Sequence, residues 1–190
     1  MIIEPVGYMP GDFCGPTAIA AITHAPRDVV MNACKDALFM TQASRRPEIV
    51  AGMTMNQLLV AVELLTDVDQ SRNRWHHFDD NVVHGKKPTI VREWLERGRT
   101  KLMRERKLLV CGGYRNNLHV AAVYQSMTVD TFSRGRIVPI EQLTMRRCLM
   151  DSAIGFPPDL TVSEEALEKY GRSEHSACPN ARRRAARSFR

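Results

Sequence analysis

The chain has 190 residues, of which 44% are hydrophobic and 25% charged, so it is long enough for one domain with a core and too apolar to be disordered throughout. It contains no apolar run of about 18 residues, which excludes a transmembrane helix, and its N-terminal stretch lacks the basic and apolar regions of a signal peptide. The net charge is +6, but five arginines fall within residues 181–190, so charge does not predict a nucleic-acid-binding face on the domain itself.

The cysteines indicate a reducing environment. The chain has five of them, an odd number, and their spacing matches neither a disulfide framework nor a C-x-x-C zinc site. We therefore predict free thiols and a reducing, cytoplasmic location. Four are expected to be structural or incidental: Cys34, Cys111, Cys148 and Cys178.

Cys14 stands where a turn gives way to a helix. Residues 9–12 read Met-Pro-Gly-Asp, a turn sequence, and residues 18–22 are small or aliphatic at helical spacing. Pro16 suits a first helical turn because its missing N–H would have no intrahelical partner there. The unpaired N–H groups and the dipole at a helix N-terminus favour a thiolate, so Cys14 is a candidate nucleophile. The alternative is that Cys14 is an inert, buried core residue.

Further helices are predicted along the first half of the chain. A second, amphipathic helix begins at residues 25–26, and residues 40–51 are polar and predict a loop. Thr54 and Gln57 form the sequence signature of a capping box, which predicts a third helix ending near Asp67. Residues 69–87 form a long polar excursion that we expect to be partly extended. A fourth helix is predicted to begin at residues 88–89.

The second half of the chain changes to short apolar runs, which predict strands. The first of these runs, residues 107–111, is expected to end at Gly112 and Gly113. Pro139 should lie at a sheet edge or at the end of a strand. The predicted strands are residues 107–111, 119–124, 127–130 and 136–140. Helices followed by an antiparallel meander predict an α+β domain over residues 1–154, with N-terminal helices packed on a C-terminal sheet, and a C-terminal arm over residues 155–190.

A hairpin between two of these strands predicts a catalytic pair. If residues 125–126 form a tight turn, Tyr124 pairs with Met127, and His119 faces a level two residues beyond Asp130. Side chains bridge that diagonal distance across an antiparallel pair. A thiol nucleophile needs a base, and the base needs a group that fixes its tautomer. His119 and Asp130 are candidates for those two roles.

The order of these residues resembles that of papain-like cysteine peptidases. Short phage and bacterial members commonly begin with Gly-Asp-Cys, and residues 11–14 here read Gly-Asp-Phe-Cys. Residues 14–17, Cys-Gly-Pro-Thr, are also similar to double-glycine leader peptidases. The late hairpin of the phage-like members reads His, small apolar residues, a turn and Asp-Thr, which residues 119–131 match.

The resemblance implies a papain-like fold and the cleavage of a peptide or isopeptide bond without a cofactor. Cys14 would be the nucleophile, His119 the base and then the acid, and Asp130 the residue that orients His119. Papain-like enzymes stabilise the oxyanion with a Gln that precedes the nucleophile, and residues 1–13 contain none. The remaining candidates are the Cys14 N–H and either Tyr8 or a backbone group near Gly11.

Two other functions remain open. A papain-like domain could serve as an inactive structural or binding component, for example in a phage particle with other virion proteins as partners. Alternatively, the basic arm could contact nucleic acid. We expect no membrane partner. The arm's candidate residues are Arg182, Arg183, Arg184, Arg187 and Arg190.

A metal site is not expected. His76, His77 and His84 lie in a polar stretch with two aspartates. Adjacent histidines in a strand point in opposite directions, however, and no second cluster has ligand spacing. The sequence therefore predicts no metal.

Overall fold

The computed structural model of the protein describes residues 3–6, 13–42, 45–50, 52–68, 74–77, 89–98, 105–114 and 117–171. Its α-helices are α1 (Cys14–Thr23), α2 (Arg27–Thr41), α3 (Met55–Leu65), α4 (Val91–Gly98) and α5 (Glu164–Gly171). Its strands are β1 (Arg74–His77), β2 (Lys107–Tyr114), β3 (Asn117–Tyr124), β4 (Met127–Val129), β5 (Val138–Pro139) and β6 (Leu149–Phe156). Two short 3-10 helices, Ile140–Gln142 and Thr144–Arg147, lie between β5 and β6. None of the described helices is both long and apolar enough to cross a membrane.

The α3 helix begins with the predicted capping box. The backbone N–H of Thr54 donates to Oε1 of Gln57 at 2.8 Å, and the N–H of Gln57 donates to Oγ1 of Thr54 at 3.3 Å. Two of the N–H groups that a helix start leaves unpaired are thereby satisfied. The predicted start of α1 at Cys14 is likewise confirmed.

The strands in the described part of the chain form one six-stranded antiparallel sheet in the order β1-β6-β2-β3-β4-β5. The predicted hairpin register is confirmed, because Tyr124 pairs with Met127 and Ala122 with Val129. Gln125 takes a φ of 56° in the tight turn between them. Pro139 lies on the edge strand β5, where a missing N–H costs no ladder hydrogen bond. The α+β class predicted from the sequence is confirmed.

Helices cover both faces of the sheet. Alternate residues of β2, β3 and β6 pack against α1, α2, α3 and α5, including Leu109, Cys111, Val120, Ala122, Ile154 and Phe156. The residues between them pack against α4 and the 3-10 helices, including Leu108, Val110, Ala121, Val123 and Ala153. The period-2 alternation of a strand thus fills two cores.

The β6 strand and the α5 helix correct the predicted domain boundary. β6 crosses residue 154 and pairs with both β1 and β2 inside the sheet. Beyond it, Leu160 and Tyr170 are buried in the same core as α1 and α2. Residues 155–171 therefore belong to the folded domain rather than to an arm. The sequence concealed this because Pro157 and Pro158 interrupt the hydrophobic period. Residues 172–190 lie outside the described residues.

The strand predicted over residues 107–111 is longer than expected. It is β2, which continues through Gly112 and Gly113 to Tyr114, so the predicted end at the two glycines was wrong. A Cβ atom on Gly112 would lie 2.6 Å from Cγ2 of Val91 and 2.9 Å from the carbonyl oxygen of Leu149. Glycine is required there because a neighbouring strand and helix approach the backbone closely. Within the predicted excursion of residues 69–87, the described strand β1 is extended, as expected.

Lys107 anchors the far end of α1 to the sheet. Its side chain is fully buried, and Nζ donates to the carbonyl oxygens of Ile22 at 2.8 Å and Leu160 at 2.7 Å. Nζ also lies 3.3 Å from Nε2 of His24, the αL residue that caps the helix. Burial lowers the pKa of Lys107 to about 8, although Glu4 and Asp159 favour its charge.

Candidate active site

Cys14 is the first residue of α1, and the preceding Phe13 is extended and supplies no side-chain cap. The first N–H groups of a helix have no intrahelical acceptor. That of Gly15 is directed to the Cys14 sulfur, while the neighbouring Pro16 has no N–H to satisfy. The sulfur also accepts the backbone N–H of Val120 in β3. The helix start predicted from the sequence therefore surrounds the thiol with donors.

The position of Cys14 depends on a close contact between two helices. A Cβ atom on Gly15 would lie 2.6 Å from Cδ2 of Leu58 on α3. Leu58 is fully buried, so its side chain has little room to move aside. The absence of a side chain at Gly15 lets α3 approach the start of α1 and brings the loop before α3 alongside the thiol.

His119 lies in the part of β3 that has no pairing with β4 among the described residues. The described pairing of β3 with β4 runs only from Ala122 to Tyr124, so His119 lies beyond the end of β4. Its side chain is 14% exposed and hydrogen-bonds with the Cys14 thiol. Its Nε2 atom lies 3.3 Å from Oδ2 of Asp130, which leaves Nδ1 as the ring nitrogen for Cys14. The ring of Phe132 packs against the imidazole with a centroid separation of 4.6 Å.

Asp130 is fixed by the turn that follows β4. While Oδ2 faces His119, Oδ1 accepts the backbone N–H of Ser133 at 2.7 Å. The Ser133 hydroxyl donates to the Asp130 carbonyl oxygen at 2.9 Å, and the N–H of Gly135 donates to the same oxygen at 3.0 Å. Asp130 is 2% exposed. The structure thus brings together the three residues that the sequence singled out.

These contacts favour the charged forms of Cys14, His119 and Asp130. Burial raises the pKa of Cys14, but hydrogen bonds from His119, Val120 N–H and Gly15 N–H outweigh it and hold that pKa below its usual value. Burial opposes the charge of His119, but bonds to Asp130 and Cys14 outweigh it and raise its pKa to about 9. Burial also raises the pKa of Asp130, yet His119 and the Ser133 N–H bring it below the ordinary value. The thiolate of Cys14, the imidazolium of His119 and the carboxylate of Asp130 are therefore each more favoured here than in an isolated side chain of the same kind.

The other described cysteines differ from Cys14. Burial raises the pKa of Cys34 to about 12 and also raises that of Cys148. Burial raises the pKa of Cys111 as well, assisted by the nearby carboxylate of Asp151. Among the described cysteines, only Cys14 has the lowered pKa of a reactive thiol.

A cleft of about 390 Å³ opens beside the Cys14 thiol. One wall is the loop and first turn of α3, and the opposite wall is formed by β2, β3 and β6. Most of its lining is apolar: Phe13, Val50, Met53, Met55, Leu118 and Val120. Its polar side chains include Thr54, Asn56, Asp151 and Ser152. The volume is in the usual range for a small-molecule or peptide-side-chain site.

The cleft residues contributed by β6 were not predicted from the sequence. Asp151 and Ser152 carry no signal in the sequence because no pattern there predicts β6, and Cys111, which was expected to be structural or incidental, lines the cleft. Asn56 also lines the cleft, in the turn just after the capping Thr54. The one available signal was the position of Asn56 two residues after the capping Thr54, in the first turn of a predicted helix.

Several other predicted residues lie outside the described part of the chain: Tyr8, Gly11, His84, Cys178, Arg182, Arg183, Arg184, Arg187 and Arg190. His76 and His77 lie in β1 at the sheet edge. Within the described residues, no group of three or more His, Cys, Asp or Glu side chains has the arrangement of a metal site. Comparison of the chain with protein-family models, curated proteins and solved structures returns no match.

Proposed function

We propose that the protein is a cysteine hydrolase of papain-like type that cleaves a peptide or isopeptide bond. The observation that carries the proposal is the hydrogen-bonded series Cys14–His119–Asp130 beside an open cleft. Its members have the roles that nucleophilic catalysis requires: an activated thiol, a base within hydrogen-bond reach and a group that orients the base. The resemblance to papain-like peptidases in motif and chain order supports the same assignment.

The reaction uses the charges that the site favours. The Cys14 thiolate attacks the carbonyl carbon of the substrate, forming a tetrahedral intermediate with a negatively charged oxygen. The His119 imidazolium donates its proton to the leaving amine, so the C–N bond breaks and a thioester remains on Cys14. Neutral His119 then removes a proton from water, the resulting hydroxide attacks the thioester, and the carboxylic product leaves the regenerated thiolate.

The oxyanion needs donors that replace the missing glutamine. The backbone N–H of Cys14 is in the first helical turn, where no intrahelical acceptor exists for it. The carboxamide of Asn56 lines the same cleft. We assign these two groups as the oxyanion donors, since preorganised N–H groups at the developing charge are the usual means of stabilising it.

The decisive experiment combines thiol labelling with a search for cleavage. Iodoacetamide at pH 6 should modify Cys14 in preference to Cys34, with peptide mapping by mass spectrometry as the readout. Incubation with a complex peptide mixture should generate new termini with the wild-type protein and none with Cys14→Ala. Cys148→Ala, which removes another partly buried thiol outside the cleft, is the matched control and should cleave normally.

The main alternative is a non-catalytic structural or binding component. An inactive component would be supported by a cleft that Phe13 fills. Phe13 instead forms part of the cleft wall, and the cleft is open beside Cys14. A wild-type protein that produced no cleavage in the mixture, or a Cys14→Ala variant that cleaved as well as wild type, would contradict the hydrolase proposal.

A further inference from the structure

The cleft contains one acidic side chain among the described residues that line it, Asp151, and its position depends on an irregularity in the sheet. Cys111 of β2 pairs with Ser152 of β6, but the next residue, Gly112, pairs with Met150. Asp151 is therefore the extra residue of a β-bulge. In a regular ladder, neighbouring residues point to opposite faces.

The bulge turns Asp151 to the side of the sheet that faces the nucleophile. Ser152 and Asp151 both line the cleft, although they are adjacent in one strand. Bulges are found next to active sites because they redirect a side chain in this way. Gly112 permits the irregularity, since a side chain there would meet the carbonyl oxygen of Leu149 at 2.9 Å.

Asp151 carries a negative charge that its described neighbours do not balance. The Ser152 hydroxyl donates to its Oδ2 at 2.7 Å, and the protonated Cys111 thiol is its other hydrogen-bond partner. Both partners are neutral, and no basic side chain pairs with Asp151 in the part of the chain that the structure describes. A carboxylate on the wall of a largely apolar cleft is stabilised by a cation that enters it.

We propose that Asp151 selects substrates that carry a cationic nitrogen group, an ammonium or a guanidinium, near the scissile bond. This inference rests on the proposed function. The carboxylate accepts hydrogen bonds from the cation, and the apolar walls contact the rest of the substrate and keep the local dielectric low. Two sources provide the same chemistry, a Lys or Arg side chain and a free amino terminus, and the experiment distinguishes them.

The first measurement does not require hydrolysis. Cys14 is modified by two methanethiosulfonate reagents that differ only in charge, one with an aminoethyl and one with a sulfonatoethyl group, and the two second-order rates are compared. The cationic reagent should react faster with the wild-type protein. The ratio of rates should fall about five- to ten-fold in Asp151→Asn, the effect of one charge at close range in a partly desolvated cleft.

Two control variants make this result specific. Asp151→Glu keeps the charge and should retain the preference for the cationic reagent. Asp67→Asn removes an exposed charge outside the cleft and should leave the ratio unchanged. Circular dichroism of each variant verifies folding. A ratio in Asp151→Asn equal to that of wild type would overturn the proposal, even if Cys14 proves catalytic.

The second measurement identifies the source of the cation. Peptides identified as cleaved are remade with Lys or norleucine at each position around the scissile bond, and with free or acetylated amino termini. The Lys-to-norleucine or free-to-acetylated ratio of kcat/KM should exceed one, and Asp151→Asn should reduce it about ten-fold. If no peptide is cleaved by wild type, the hydrolase assignment fails, while the rate ratio of the reagents still decides whether Asp151 attracts cations.

Discussion

The two carboxylate oxygens of Asp130 have different partners: Oδ2 lies 3.3 Å from Nε2 of His119, and Oδ1 accepts the backbone N–H of Ser133 at 2.7 Å. The turn therefore holds the carboxylate in place while the free side of the imidazole faces Cys14. A carboxylate fixed in this manner stabilises the imidazolium and sets the ring orientation together.

Replacing Asp130 by Asn should separate its stabilisation of the His119 imidazolium from its orientation of the ring. Asn keeps the shape but removes the charge, so the pKa of His119 should move from about 9 toward 6.5, which NMR titration of the ring protons would measure. With less imidazolium present, the thiolate is less stable, and the pH at which Cys14 alkylation reaches half its maximal rate should rise. Peptide cleavage should fall by about 10²-fold or more. An unchanged His119 titration would contradict the assigned coupling.

Asn56 should matter for bond cleavage and not for thiol reactivity. If its carboxamide donates to the oxyanion, Asn56→Ala should lower kcat by about 10- to 10³-fold, because that interaction forms only as the charge develops. The rate of Cys14 alkylation by iodoacetamide should stay at the wild-type level, since no oxyanion forms in that reaction. A parallel loss of both rates would instead indicate a disturbed site. Asn56→Gln provides the conservative comparison.

Gly112 should be intolerant of a side chain. Gly112→Ala places a methyl group 2.9 Å from the backbone oxygen of Leu149, which cannot rotate away, so β2 and β6 must separate. We expect a loss of about 1–3 kcal/mol in the free energy of unfolding by urea. Gly171→Ala is the matched control, because its nearest neighbour would be 3.7 Å away at Cγ2 of Val29, and should change stability by about 0.5 kcal/mol or less. Equal stabilities of the two variants would refute the close approach.

Lys107 should make stability rise with pH in the alkaline range. Its pKa is about 8 in the folded protein against 10.5 for an ordinary lysine, so the unfolded chain binds more protons between those values. The free energy of unfolding of wild type, relative to Lys107→Met, should therefore increase from about pH 8 to about pH 10.5 and lose that increment as the pH falls. Urea titrations of both proteins across this window measure the difference. A difference that falls with pH would be contrary to the assigned burial.

The local features of the fold were predictable from the sequence because their causes lie within a few residues of one another. Three features depend only on residues that are neighbours in the chain. They are the Thr54–Gln57 capping box, the helix start at Cys14 and the hairpin register set by the Gln125–Ser126 turn. The same register places His119 within reach of Asp130. The position of one turn was therefore enough to predict the contact between these two residues.

The tertiary structure decided the rest. β6 pairs with β2 across about forty residues of chain, and no local pattern specifies which strand will fill the middle of a sheet. The bulge that turns Asp151 into the cleft depends on that pairing and on the missing side chain of Gly112. The contact of Cys14 with His119 joins a helix start to a strand more than one hundred residues away, and it forms only when α1 packs over β3. The sequence alone determined the helix start at Cys14 and the hairpin that joins His119 to Asp130, and packing of α1 against the sheet determined that the thiol meets them.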